Sequence, residues 1–176
     1  LSLSGMYNGE MLSASEYKSL ASLDGAGFHG GYNHIVYQMV GQPLGVFYLP
    51  HSTGLESDGN GGYTYGIADL NGGGVSLEDG EDRYVAGQAV PKTILGSNIS
   101  FRYKRFDLSL QINGAFGHKI YNGTSLTYMN MNIFPDYNVM KKAPQQNIKD
   151  QTATDYWLEK GDYVNFDYVT LGWNVP

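Results

Sequence analysis

The clearest pattern along the chain is an alternation of apolar and polar residues between positions 94 and 113. Leu95, Ser97, Ile99, Phe101 and Tyr103 occupy the odd positions, and Gly96, Asn98, Ser100 and Arg102 the even ones. After Lys104-Arg105 a second run begins. Phe106, Leu108, Leu110 and Ile112 alternate with Asp107, Ser109, Gln111 and Asn113. A period of two places successive side chains on opposite faces of a strand, so each run predicts a strand with one apolar and one polar face. Two such strands with two residues between them predict an antiparallel hairpin. The connection lacks Asn-Gly or Asp-Gly, which leaves its turn type open. The unbroken polar row suits a water-filled barrel interior, and equally the wet face of a soluble sheet.

The end of the chain repeats the pattern with a slip. Val164, Phe166 and Tyr168 are apolar at even positions, whereas Val169, Leu171, Trp173 and Val175 are apolar at odd ones. A change of phase within one strand predicts a β-bulge near 168–169. Residues 1–7 also alternate, and Asn33 to Leu49 reads as one or two strands around Gly41-Gln42-Pro43, with Pro43 at an edge or bend. Ser13 to Ala21 suits a short helical turn capped by Ser15. The connections 50–92 and 119–161 are long, rich in Gly, Asn, Asp, Tyr and Met, and read as irregular. One short turn opposite long loops is the plan of an outer-membrane barrel, and compact soluble domains rarely carry such loops.

Composition narrows the classes. The chain has 24 Gly, 15 Tyr and no Cys, and only 16% of its residues are charged; soluble domains usually hold about 25%. A net charge of −6 argues against nucleic acid, which needs a basic stripe. The lack of Cys excludes a disulfide scaffold, a thiolate zinc site and a thiol nucleophile. No apolar run reaches the ~18 residues of a transmembrane helix, a test that barrel strands escape. With neither an initiating Met nor a signal peptide, the chain reads as an internal piece of a longer protein. No P-loop or G-x-S-x-G elbow is present, and His29, His34, His51 and His118 lack the spacing of a zinc helix.

Several segments, taken in order, carry a family resemblance. Gly41-Gln42-Pro43-Leu44-Gly45-Val46-Phe47-Tyr48 resembles a G-x-P-x-G-x-F-Y segment, and Asp69-Leu70-Asn71-Gly72-Gly73-Gly74 a D-x-N-G-D-G loop. Val85-Ala86-Gly87 with Pro91, then Phe106-Asp107-Leu108-Ser109 with Gly114, Gly117 and Tyr121-Asn122, continue the series. Asp155 to Val164 and Val169-Thr170-Leu171-Gly172-Trp173-Asn174-Val175-Pro176 complete it. Over residues 40–176 the chain resembles the C-terminal part of the β-barrel of SusC-like TonB-dependent transporters of the Bacteroidota. The resemblance implies an all-β fold, a segment of an antiparallel transmembrane barrel of about 22 strands with a plugged lumen. It implies short periplasmic turns, long extracellular loops and a place in the bacterial outer membrane. Residues 1–176 would then be a partial barrel, without the plug domain and the final strands.

The implied activity is uptake of glycans or oligopeptides driven through TonB, with a SusD-like surface lipoprotein as lid. The partners are that lipoprotein, TonB, the substrate and outer-membrane lipid; no enzymatic activity, cofactor or metal is implied. A secreted β-sandwich that binds carbohydrate and a purely structural barrel or adhesin remain as rivals.

Two groups of residues are site candidates. Asp69 to Gly74 is similar to a calcium loop, but Gly73 stands at its third acid position and Gly80 at the twelfth, with Glu78, Asp79 and Asp82 out of register. A Gly-rich turn is the simpler reading. Tyr63, Tyr65, Tyr128 and Tyr137 fall in the long connections. Their rings either stack on sugar or pack within the loops and against a lid. Tyr103, Tyr121, Tyr163, Tyr168 and Trp173 lie near strand ends or on the apolar phase, where amphipathic rings suit a bilayer interface.

Overall fold

The computed structural model describes residues 2–7, 21–22, 35–39, 41–77 and 81–175. The suggested helical turn at Ser13 to Ala21, together with His29, His34, Glu78, Asp79 and Gly80, lies outside them, apart from Ala21. In chain order the strands are β1 (Ser2–Tyr7), β2 (Ala21–Ser22), β3 (Val36–Gln38), β4 (Val46–Pro50), β5 (Ser52–Ser57) and β6 (Tyr63–Ile67). They continue as β7 (Arg83–Gln88), β8 (Thr93–Tyr103), β9 (Phe106–Phe116) and β10 (Lys119–Tyr121). Two short helices follow, α1 (Gly123–Tyr128) and α2 (Ala143–Gln146), then β11 (Leu158–Lys160) and β12 (Tyr163–Trp173). The fold is all-β and antiparallel, with little helix.

Its main sheet has the order β1-β8-β9-β12, and β8, β9 and β12 are each 11 residues long. The expected hairpin is present, with Tyr103 opposite Phe106 across Lys104-Arg105. Lys104 has φ +54° and Arg105 does not share the left-handed sign, the sign pattern of a type II′ turn. This turn matches strand twist without Asn-Gly. Among the described residues the sheet is open, with β1 and β12 as its edges.

Register decides what each face carries, because directly opposed residues project to the same side. Ile99, Leu110 and Val169 form one cross-strand row, Phe101, Leu108 and Leu171 the next, and Tyr103, Phe106 and Trp173 the last. The opposite face carries Ser100, Ser109 and Thr170, then Asn98, Gln111 and Tyr168.

The expected bulge is present one residue earlier than the phase change suggested. Phe166 opposes Ile112 and Tyr168 opposes Gln111, which leaves Asp167 as the extra residue. Its carboxylate accepts hydrogen bonds from Asn113 Nδ2 at 2.6 and 2.7 Å and from Asn165 Nδ2 at 2.9 Å. Asp167 and Tyr168 therefore both turn to the polar face, and Val169, Leu171 and Trp173 return to the apolar one.

The strand–turn–strand expected between Asn33 and Leu49 is β3 and β4, with Val36 opposite Phe47 and Pro43 in the bend between them. The connections 50–92 and 119–161, read as irregular, are instead largely folded. The first holds the β5–β6 hairpin and β7, and the second holds β10, both helices and β11. They share one core, built from Ile35, Phe47, Leu49, Tyr65, Leu126 and Ile148, with Trp157 and Tyr121 packed against it. Burial of these side chains contributes roughly 1.5–3 kcal/mol each, so these loops form a body of their own. Both leave the sheet at the end where Thr93 opposes Phe116 and Tyr163 opposes Ala115, away from Lys104-Arg105.

The bulge makes a direct prediction. Phe166 and Tyr168 oppose the consecutive residues Ile112 and Gln111, so deleting Asp167 alone leaves a regular strand with Val169, Leu171 and Trp173 still on the apolar side. Deleting Asp167 and Tyr168 together instead brings Val169 opposite Gln111 and turns all three to the polar side. In the native-length protein, deletion of Asp167 alone is expected to keep the heat-modifiable folded band on gel electrophoresis, and deletion of Asp167 with Tyr168 to abolish it. Loss of the band in the single deletion, or its survival in the double one, would show that the phase of β12 does not decide folding.

Candidate functional site

Three features bear on function: the two faces of the long sheet, the hub that ties the loops together, and the tyrosines of the loop body. The apolar face of the sheet is uncovered among the described residues. Phe101, Phe166, Val169 and Trp173 are exposed, and Leu171 retains 73% of its accessible surface. Central β9 is half-buried only because β8 and β12 flank it. At the turn end the rings of Phe106 and Trp173 stack with centroids 6.2 Å apart, and Lys104 Nζ lies 5.3 Å from the centroid of Tyr103. Aromatic rings beside a cationic turn close the apolar band at that end, the arrangement expected at a bilayer interface. The polar face carries its own network, in which Asn98 Nδ2 donates to Tyr168 Oη at 3.1 Å beside the Asp167 cluster.

The loop hub is Asp155. Its Oδ2 accepts from Tyr84 Oη at 2.6 Å and pairs with His51 Nδ1 at 2.7 Å, while Oδ1 accepts the backbone N–H of Ser52 at 2.7 Å. Burial alone would raise the pKa of this carboxyl, but the hydrogen bonds from Tyr84, His51 and Ser52 outweigh it and hold the group below its ordinary value. Burial, with the adjacent Asp155, likewise pushes the Tyr84 hydroxyl up. The two connections are stitched together elsewhere as well. Tyr63 N–H donates to Asn147 O at 3.0 Å and Lys149 N–H to Tyr63 O at 2.8 Å, and within the second connection Met131 N–H donates to Ile148 O at 2.7 Å.

The tyrosines divide by environment. Tyr65 is only 5% exposed; its hydroxyl accepts from Trp157 Nε1 at 2.7 Å, and burial raises its pKa to about 12. Its ring belongs to the core of the loop body, against Tyr156 with centroids 5.3 Å apart. Tyr63, Tyr128 and Tyr137 are 43%, 44% and 61% exposed. Backbone contacts hold the first two to one framework: Tyr63 bridges Ile148, Ile148 bridges Asn130, and Tyr128 O accepts from Met140 N–H.

The loop at Asp69 to Gly74 uses its own oxygens. Asp69 accepts from the N–H groups of Gly72 at 2.6 Å and Gly74 at 3.0 Å, and Asn71 Oδ1 from Gly73 at 2.7 Å. Asp82 closes the loop from outside, accepting from Leu70 and Ser76 at 2.7 Å each, and these backbone donors lower its pKa. These carboxylates serve a Gly-rich turn. The sequence signal for that role, an Asp followed by glycines, is the same one that resembles a cation loop. Asp155 carried no signal that separated it from the other acids.

No protein-family model matches the chain. Among curated proteins it is similar to the TonB-dependent receptor P3 of Formosa agariphila, 28% identical over 157 residues, which cover 77% of this chain and 16% of that protein. The chain is thus a distant relative of a TonB-dependent receptor and spans about a sixth of that relative's length.

The hub generates a prediction about pH. The folded pKa of Asp155 is depressed, so its contribution to stability is present above the unfolded value, near 4, and is lost as the pH falls through the folded one. Hydrogen exchange at the Ser52 amide is expected to accelerate below about pH 4, before the amides of β9 respond. Asp155→Ala should weaken the loop body by about 1.5–3 kcal/mol at neutral pH. Equal protection of Ser52 in wild type and variant would remove Asp155 from this role.

Proposed function

We propose that this chain is part of the transmembrane barrel of a TonB-dependent outer-membrane importer. The supporting observation is the bare apolar face of β8, β9 and β12, which continues across three strands while the other face stays polar. In water such a face would be an aggregation site; against acyl chains it is the ordinary exterior of a barrel, with the polar face lining the lumen. A soluble β-sandwich would cover it with a second sheet, yet Phe101 and Leu171 lie open among the described residues. That contrast favours the barrel over a secreted carbohydrate-binding sandwich. The distant similarity to a TonB-dependent receptor points the same way.

The finer reading rests on the SusC-like motifs. The segment lies in the C-terminal part of the barrel, the Lys104-Arg105 turn faces the periplasm, and the folded loops face outward. There a SusD-like lipoprotein closes the mouth over a glycan or oligopeptide cargo. Tyr63, Tyr128 and Tyr137 are the rings available to sugar, and Tyr65 supports them from below. TonB supplies the energy, and this chain does no covalent chemistry.

Leu110→Arg, at mid-strand on the apolar face, is expected to cost about 2–4 kcal/mol of folding stability in bilayers, whereas Ser109→Arg on the polar face should be tolerated. Equal effects would remove the assignment of faces. For orientation, a cysteine at position 136 should react with an impermeant maleimide on intact cells and one at position 104 should not. The reverse pattern would invert the topology.

A further inference from the structure

At the seam between the long sheet and the loop body lies a cavity of about 360 Å³, whose lining includes Lys92, Lys119 and Lys160. The protein has 11 Lys and Arg residues and a net charge of −6, and three of the lysines line this one small cavity. Asp162 is the acid in the lining, and its Oδ1 already accepts the N–H of Gly117 at 2.6 Å. No ammonium group of the three lysines has an ion-pair partner among the described residues.

Two glycines leave room for the stems of Lys119 and Lys92. Gly87, at φ +151°, lies under Lys119: a Cβ there would stand 2.8 Å from Lys119 Cδ. Gly117, at φ +76°, lies under Lys92, with Cβ 3.0 Å from the position a side chain would take. A side chain at either glycine would displace the lysine above it. His118, nearly buried, backs onto Gly161 beside Lys160. Pro43, Val46 and Val85 give the cavity an apolar wall. The volume lies near the lower end of ligand pockets, roughly 300–1,000 Å³, and suits a molecule of monosaccharide or amino-acid size.

We infer that this cavity is a binding site for a small oxyanion-bearing ligand, with the lysines holding a carboxylate, sulfate or phosphate group and the apolar wall taking its body. An ammonium is a compact charge that accepts any of these groups without demanding a bidentate fork. The inference does not depend on the transport reading, because the cavity stands whether or not the sheet crosses a bilayer.

The test is calorimetric titration of the native-length protein in detergent at low ionic strength with sodium acetate, sulfate and phosphate as separate probes. At least one probe should bind saturably, and the strongest identifies the anionic group. Lys119→Met and Lys160→Met keep the stem and remove the charge; each should weaken that binding at least tenfold. Lys141→Met, outside the cavity, should leave it unchanged. Absence of saturable binding by all three probes would overturn the inference, as would binding indifferent to Lys119→Met and Lys160→Met. A third outcome would overturn it too: if both variants lower the melting temperature in anion-free buffer and no probe binds, the lysines hold an acid of the protein itself.

Discussion

A sheet with hydrocarbon on one side and water on the other must hold its two-residue phase across every strand. A one-residue slip would present polar side chains to lipid and apolar ones to the lumen. β8 and β9 hold the phase through a two-residue turn, whereas β12 would lose it after Phe166. Asp167 absorbs the extra residue, and Asn113 and Asn165 fix its carboxylate on the polar side. The apolar rows from Ile99 to Val169 and from Tyr103 to Trp173 are continuous because of this bulge.

The same constraint separates sheet from loops. Within hydrocarbon every backbone group needs a strand partner, so irregular chain is confined to the ends. Here the long connections emerge together at the Thr93 end and solve their own packing problem. Leu49, Leu126 and Ile148 are fully buried, and Asp155 joins groups about a hundred residues distant in sequence. The loop body is a small folded unit on the rim of a sheet, with the lysine cavity in the seam between them.

The sheet was legible in the sequence because its cause is local. Period two in 94–113, the two-residue gap and the change of phase after Tyr168 are visible without knowing any partner. The bulge was placed a residue late because hydropathy marks where the phase has already changed, whereas the extra residue is set by hydrogen bonds to β9. The loops were illegible for the opposite reason. Asp155 meets His51 and Ser52 at separations of 104 and 103 residues, and nothing in its neighbourhood announces this. Tyr63 and Tyr65 share one parity in β6, yet one is exposed and the other is core. Position along the strand decides their burial, not alternation. The lysine cavity was invisible too, since Lys92, Lys119 and Lys160 are isolated charges until β8, β9 and β12 bring their loop ends together.

The central claim is that the face carrying Leu110 and Trp173 meets acyl chains while the loop body stays in water. The direct measurement is tryptophan quenching of the native-length protein in bilayers of lipid brominated along its acyl chains, compared with Trp173→Phe and Trp157→Phe. Trp173 lies exposed on the apolar face, whereas Trp157 lies in the loop body with its indole N–H bonded to Tyr65. The account predicts that bromolipid quenches a component of the emission that Trp173→Phe removes and Trp157→Phe leaves intact. Loss of the quenched component in Trp157→Phe, or its persistence in Trp173→Phe, would contradict it.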